Sequence, residues 1–162
     1  MTTVTVRPAV INDAETIRQF ILDLAIYEKA EHEMLTNEDH IRNTLFCENP
    51  QAFSLIAEID GTAVGFAVYF FSYSTWLGKY GIYLEDLYVS LEERGKGAGK
   101  ALLKELAKIA VAKDCGRLEW CVLDWNEPSI KFYEAMGAKP KDGWTVYRLD
   151  GEALNSFAEI KP

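Results

Sequence analysis

The feature that most constrains the fold is a glycine-bearing turn that leads directly into a long amphipathic helix. The segment before it, GIYLEDLYVS (residues 81–90), is rich in aromatic and branched residues and predicts a strand. Apolar residues at three-to-four spacing predict a helix from about Gly97 to Lys113, and RLEWCVLDW (117–125) predicts the next strand. Because a helical crossover joins parallel strands, and is nearly always right-handed, this order predicts a sheet with a parallel pair.

The first half of the chain predicts antiparallel strands and two helices. VTVRPA (4–9) alternates like a short strand, and a helix capped by Asn12 or Asp13 is expected to fade near Tyr27. A second helix, HIRNTLF, is predicted to be capped by Thr36. Residues 53–59 and 63–73 predict a hairpin that turns at Asp60 and Gly61.

After the crossover, PSIKFYEAMG (128–137) predicts a short helix, GWTVYRLD (143–150) a last strand and GEALNSFAEI (151–160) a terminal helix. Neither a repeat nor a linker divides the chain. We therefore expect one domain over residues 1–162, of the α/β or α+β class, with a mixed and mostly antiparallel sheet flanked by helices.

Charge and cysteine content narrow the classes of function. Lys and Arg number 17 against 25 Asp and Glu, a net charge of −8, so the chain as a whole is expected to repel nucleic acid and anionic membranes. The three cysteines lack metal-type spacing, and no apolar run is long enough to span a membrane. These features favour a cytoplasmic protein that acts on a cationic small molecule, with no metal.

The glycine turn itself predicts an anion site, because a helix N-terminus presents unpaired backbone N–H groups and the positive end of the helix dipole. It does not match a nucleotide-triphosphate loop, since Gly95 and Gly99 are one residue too close and Ala101 replaces the magnesium-binding hydroxyl. The dinucleotide pattern fails at Lys100. What remains is R-x-x-G-x-G, which on its own is compatible with a phosphate site or with a plain glycine-rich turn.

With its surroundings, the turn resembles that of the GNAT acyl-CoA N-acyltransferases. The resemblance rests on RGKGAGKALL after the strand YLED, and on WNEPSIKFYEAMGA some thirty residues later. More narrowly, RPA and YE near the start are similar to the spermidine/spermine N-acetyltransferase branch, while YSTWLGKYGIYLEDLYV, VLDWNE and DGEAL resemble its thialysine N-epsilon-acetyltransferase-type members. The resemblance implies the GNAT fold, acetyl-CoA as co-substrate and a homodimer.

The resemblance also implies where acetyl-CoA binds. Backbone N–H groups of the turn would hold the pyrophosphate, the strand before it would lie beside the pantetheine, and Leu87 or Val89 would present an N–H to the thioester oxygen. Asn126 would bond to the CoA arm, a role compatible with capping the following helix. The implied cofactor-binding residues are Leu87, Tyr88, Val89, Arg94, Gly95, Lys96, Gly97, Ala98, Gly99, Lys100, Asn126 and Tyr133.

Transfer to an amine requires a base, because an alkylammonium with a pKa near ~10.4 must lose a proton before it attacks. Glu85 and Asp86 are adjacent in a strand, so their side chains are expected to point to opposite faces. By the family pattern Glu85 is the base; a solvated strand edge is the alternative. Tyr133 would protonate the leaving thiolate, or else belong to the core.

Acidic and aromatic groups predict a slot for a cation. The candidates are Tyr27, Glu28, Trp76, Glu85 and Asp86, with Glu31 and Glu33 either joining them or forming a solvated loop. Thr75 stands where the polyamine-specific branch has an acidic residue, so the amine stays open between a lysine-like amino acid and a di- or polyamine. Protein or peptide N-acetylation and a non-catalytic CoA-binding sensor are the alternative functions.

Overall fold

A computed structural model describes residues 2–159 of the chain. These residues form two compact units that divide between Leu123 and Asp124. The first contains β1 (Val4–Pro8), α1 (Ala14–Tyr27), α2 (Glu38–Leu45), β2 (Phe53–Ile59), β3 (Thr62–Ser74), β4 (Lys79–Val89), α3 (Ala98–Ala112) and β5 (Leu118–Trp120). The second contains α4 (Glu127–Ala135) and α5 (Gly151–Ala158).

The sheet of the first unit is mixed, as the sequence predicts. Its strands lie in the order β1-β2-β3-β4-β5. The first four pair antiparallel, and β5 pairs parallel to β4 after the crossover through α3. The predicted hairpin is confirmed, with Asp60 and Gly61 both in left-handed conformations at its turn.

Helices cover both faces of this sheet. On one face Phe20 of α1 packs against the rings of Phe66 and Tyr88, at centroid distances of 5.6 and 6.1 Å. On the other face α3 contacts all five strands and buries one apolar side. The buried residues of α3 are Ala98, Leu102, Leu103, Leu106 and Ala110. This arrangement places the start of α3 after the carboxyl end of β4, with the glycine turn between them.

Three predicted details are wrong. The cap of α2 is Asn37 rather than Thr36, because the Asn37 side chain accepts a hydrogen bond from the His40 N–H at 2.9 Å. The strand expected over 117–125 is limited to Leu118–Trp120, where it pairs with β4. The strand expected over 143–150 is not formed. Alternating apolar residues do not suffice for a strand without a partner, and α4 and α5 are the only regular elements of residues 124–159.

The predicted terminal helix is present as α5, although residue 160 of that prediction lies outside the described residues. None of the helices in residues 2–159 has the length and apolarity needed to cross a membrane. The cysteines Cys47, Cys115 and Cys121 are all free thiols.

Candidate active site

The glycine turn links β4 to α3 through two left-handed residues. Gly95 has a φ of +81° and Gly97, the N-cap of α3, a φ of +94°. A Cβ built at either glycine meets no atom within 4 Å, so backbone conformation rather than crowding requires glycine there. The space beside the turn is therefore open to a ligand.

The start of α3 has the donors that an anion needs. The first bond within the helix runs from the Ala101 N–H to the Gly97 carbonyl, at 2.9 Å, so the preceding N–H groups have no helical acceptor. Gly97 has no side chain with which to cap them. Lys96 pairs with Glu93 at 2.7 Å, and Lys100 is exposed on the first turn of the helix. These residues fit a pyrophosphate group such as that of CoA.

A β-bulge in β4 changes the direction of the acidic pair. Ala67 and Tyr69, two residues apart on β3, lie opposite Leu87 and Leu84, which are three residues apart on β4. Both leucines therefore occupy one face of the sheet, and the two residues between them, Glu85 and Asp86, occupy the other. The expectation that the acidic side chains point to opposite faces is thus wrong, because it assumed an unbroken pleat.

The face that carries the acidic pair is the one covered by α1. Asp86 lies opposite Val68, which packs against the core cluster that contains Phe20. Glu28, the C-cap residue that follows α1, is close enough to influence Asp86 electrostatically. The structure therefore brings three of the predicted acceptor residues, Glu28, Glu85 and Asp86, into one group of carboxylates, called the acidic pocket below, in which Asp86 and Glu28 are half-buried and Glu85 is exposed.

Electrostatics in the acidic pocket favour a bound cation. Burial, together with the nearby carboxylates of Glu85 and Glu28, raises the pKa of Asp86 to about 6. Burial also raises the pKa of Glu28. Within residues 2–159, no lysine or arginine has an opposing effect on Asp86. An ammonium ion in the pocket would supply the missing positive charge.

Arg94, the first residue of R-x-x-G-x-G, lies between the turn and the acidic pocket. Its Nε donates a hydrogen bond to the Val89 carbonyl at 3.0 Å. Its guanidinium carbon lies 4.7 Å from the ring centre of Tyr27 and 5.6 Å from that of Tyr88. The side chain thus contacts both α1 and β4. The spacing of residues in the sequence did not predict these contacts.

Trp76 is not brought to the acidic pocket of its own chain. It lies in the hairpin between β3 and β4 and is 86% exposed. From Asp86 to Lys79, at the start of β4, seven residues of strand at ~3.3 Å each span roughly 23 Å. Trp76 lies beyond that start, and Glu31 and Glu33 are exposed on a short turn after α1.

The second unit carries the other two candidates. Asn126 is the N-cap of α4, where its Oδ1 accepts a hydrogen bond from the Ser129 N–H at 3.4 Å, and it is only 5% exposed. Tyr133 lies on α4, half-buried, with its ring 5.6 Å from that of Phe132. The expected capping role of Asn126 is confirmed.

The sequence analysis predicted neither the bulge in β4 nor the contacts of Arg94. For the bulge there was a signal, because L-E-D-L places two polar residues between apolar ones and so breaks a two-residue alternation. For the stacking of Arg94 there was none, since Tyr27 and Arg94 are far apart in the chain.

Comparisons with known proteins agree with these features. The family described as Acetyltransferase (GNAT) family matches residues 20–138. A thialysine N-epsilon-acetyltransferase of Bos taurus is 38% identical over 169 residues, covering 98% of this chain and 99% of that protein. Spermidine/spermine N(1)-acetyltransferase-like protein 1 of Homo sapiens is 36% identical over 164 residues, which are 94% of this chain and 23% of that protein.

Among solved structures, an integron cassette protein from the mobile metagenome of V. cholerae superposes with a TM-score of 0.80 and 28% identity, covering 97% of this chain and 98% of that one. The fold, the family match over most of the chain and the near full-length relatives lead to one conclusion. The chain belongs to the GNAT family of acetyltransferases.

Proposed function

We propose that the protein is an acetyl-CoA-dependent N-acetyltransferase that acetylates a primary amine of a small cationic substrate. The substrate is a thialysine- or lysine-like amino acid or a di- or polyamine, and the amine attacks directly in a ternary complex. The observation that carries the proposal is the acidic pocket: half-buried Asp86, flanked by Glu28 and Glu85, with no cation among the described residues to balance it. The names of the relatives support the same substrate class.

Acetyl-CoA, when bound, supplies an acetyl group activated as a thioester. The backbone N–H groups at the start of α3, with Lys96 and Lys100, hold its pyrophosphate and so fix the position of the donor. The N–H groups of Leu87 and Val89 are candidates to donate to the thioester oxygen. Asn126 bonds to the CoA arm.

The acidic pocket binds the amine and removes its proton. Asp86 and Glu28 attract the ammonium, and Glu85, which lies on the same face of the sheet, accepts its proton directly or through water. The phenol of Tyr133 holds the proton that the leaving sulfur needs, and phenols are suitable because their pKa, near ~10, exceeds that of a thiol at ~8.5. This division of roles makes the pocket specific for cations.

We further propose that the protein is a cytoplasmic homodimer. Trp76 is carried far from its own acidic pocket by β4, and it is highly exposed. Its predicted role in substrate binding therefore requires a second subunit, whose pocket it would border. A single-subunit mass in light scattering at micromolar concentration would contradict this arrangement.

A substrate panel tests the proposed function. Purified protein is incubated with acetyl-CoA and, separately, thialysine, lysine, putrescine, spermidine and a basic peptide, and thiol release is measured. We expect turnover with at least one free amine and a loss of turnover in Glu85→Gln. Peptide acetylation alone would favour the protein-acetylating alternative, and tight CoA binding without any turnover would favour a sensor.

A further inference from the structure

The side chain of Arg94 makes contacts within the protein that a purely phosphate-binding residue does not need. Its Nε–H bonds to the carbonyl of Val89, the last residue of β4, and so closes the chain back onto the strand that it has just left. Because a charged donor makes a stronger hydrogen bond than a neutral one, this contact fixes the entry to the glycine turn.

The guanidinium also stacks on two rings from different elements. Tyr27 is the last residue of α1, and Tyr88 is buried near the end of β4 against Phe20. Burial raises the pKa of Tyr88, and the charge of Arg94 opposes that rise. One planar cation therefore joins three parts of the chain: the end of α1, the end of β4 and the turn.

These contacts connect the two halves of the reaction site. Tyr27 is followed directly by Glu28, which acts on Asp86 in the acidic pocket. Arg94 is followed by Gly95 and Gly97, which shape the start of α3. A shift of Arg94 relative to Tyr27 would move the acceptor pocket relative to the donor turn.

We infer that Arg94 is a positioning residue for the acceptor amine: by stacking on Tyr27 it holds the Tyr27–Glu28 end of α1 in register with the donor turn. The inference rests on the proposed function. In this arrangement, backbone N–H groups with Lys96 and Lys100 bind most of the pyrophosphate, and the Arg94 side chain positions the residues that bind the amine.

The test compares Arg94→Gln with Lys96→Gln, which removes one positive charge from the same turn without removing a contact to an aromatic ring. The KM for acetyl-CoA and the KM for the best amine among thialysine, lysine, putrescine and spermidine are measured separately. We expect both variants to raise the acetyl-CoA KM modestly. Only Arg94→Gln is expected to raise the amine KM, by about two- to fivefold, the size of one exposed cation–π contact.

Two further variants separate positioning from charge. Arg94→Lys keeps the charge but lacks the planar fork, so we expect it to restore the acetyl-CoA KM and not the amine KM. In a double-mutant cycle of Arg94→Gln with Tyr27→Leu, the effects on the amine KM should be less than additive.

The outcomes distinguish this inference from the proposed function. If the wild-type protein acetylates none of the four amines, the proposed function fails and the inference fails with it. If the wild type is active but Arg94→Gln changes only the acetyl-CoA KM, as Lys96→Gln does, or the cycle is additive, the inference is overturned while the proposed function stands.

Discussion

Replacing Asp86 by asparagine should make the protein more stable at neutral pH and less active. The substitution keeps the shape of the side chain and removes its charge. In the structure Asp86 is half-buried, its neighbours Glu85 and Glu28 are carboxylates, and burial followed by these charges raises its pKa to about 6. An ionised Asp86 is therefore an energetic cost to the folded state.

The size of that cost follows from the pKa. Relative to an ordinary value of 3.8, a pKa of about 6 corresponds to about 3 kcal/mol of unfavourable free energy when Asp86 is ionised. Asparagine should recover about 1–3 kcal/mol of unfolding free energy at pH 8. For a chain of this length that is an increase of roughly 3–10 °C in melting temperature.

The raised pKa of Asp86 also predicts how the stability of the protein changes with pH. Between pH 4 and pH 6 the folded state holds a proton on Asp86 that the unfolded state has lost, so wild-type stability from this group falls as pH rises through that window. The advantage of Asp86→Asn should consequently be largest above pH 6, decline below it and vanish near pH 4.

Thermal melts of both proteins, recorded by circular dichroism from pH 4.5 to 8 at constant ionic strength, measure this difference. Asp142→Asn, at an exposed aspartate, is the matched control and should change the melting temperature little at any pH. A lower melting temperature for Asp86→Asn at pH 8, or a gain that does not depend on pH, would refute the reasoning.

Three further predictions concern activity. In the wild type, the amine KM should rise as pH falls through about 6, because protonated Asp86 no longer attracts the ammonium, and the profile of Asp86→Asn should lack this inflection. Gly97→Ala, at a φ of +94°, should lower the free energy of unfolding in denaturant by about 1–2 kcal/mol and raise the acetyl-CoA KM. The control Gly61→Ala should also lower the free energy of unfolding but leave that KM unchanged. Tyr133→Phe should lower kcat at least tenfold while CoA binding, measured by calorimetry, stays within twofold.

Local signals in the sequence were enough to predict most elements of the first unit. The hairpin at Asp60 and Gly61 and the helix that follows Gly97 each depend on neighbouring residues, and both are present. The strand expected over 143–150 is absent, because a strand depends on its partner rather than on its own alternation.

For the candidate site, too, the sequence predicted some features and not others. The residue types indicated the chemistry of the site, because the acidic pair and the glycine turn that follows it are both visible in the sequence. They did not indicate its geometry, because the side chains of Glu85 and Asp86 share one face only through a one-residue bulge in the pairing of β3 with β4. Likewise Arg94 meets Tyr27 only once α1 has packed on the sheet.

The most direct test of the account is acetyl transfer to a cationic amine in wild type and in Asp86→Asn, followed by mass spectrometry of the product at pH 8. We expect an N-acetylated amine, and a kcat/KM for that amine at least tenfold lower in the variant, with the acetyl-CoA KM within twofold of wild type. An unchanged kcat/KM for the amine, in a variant that remains folded, would contradict the claim that the acidic pocket receives the substrate.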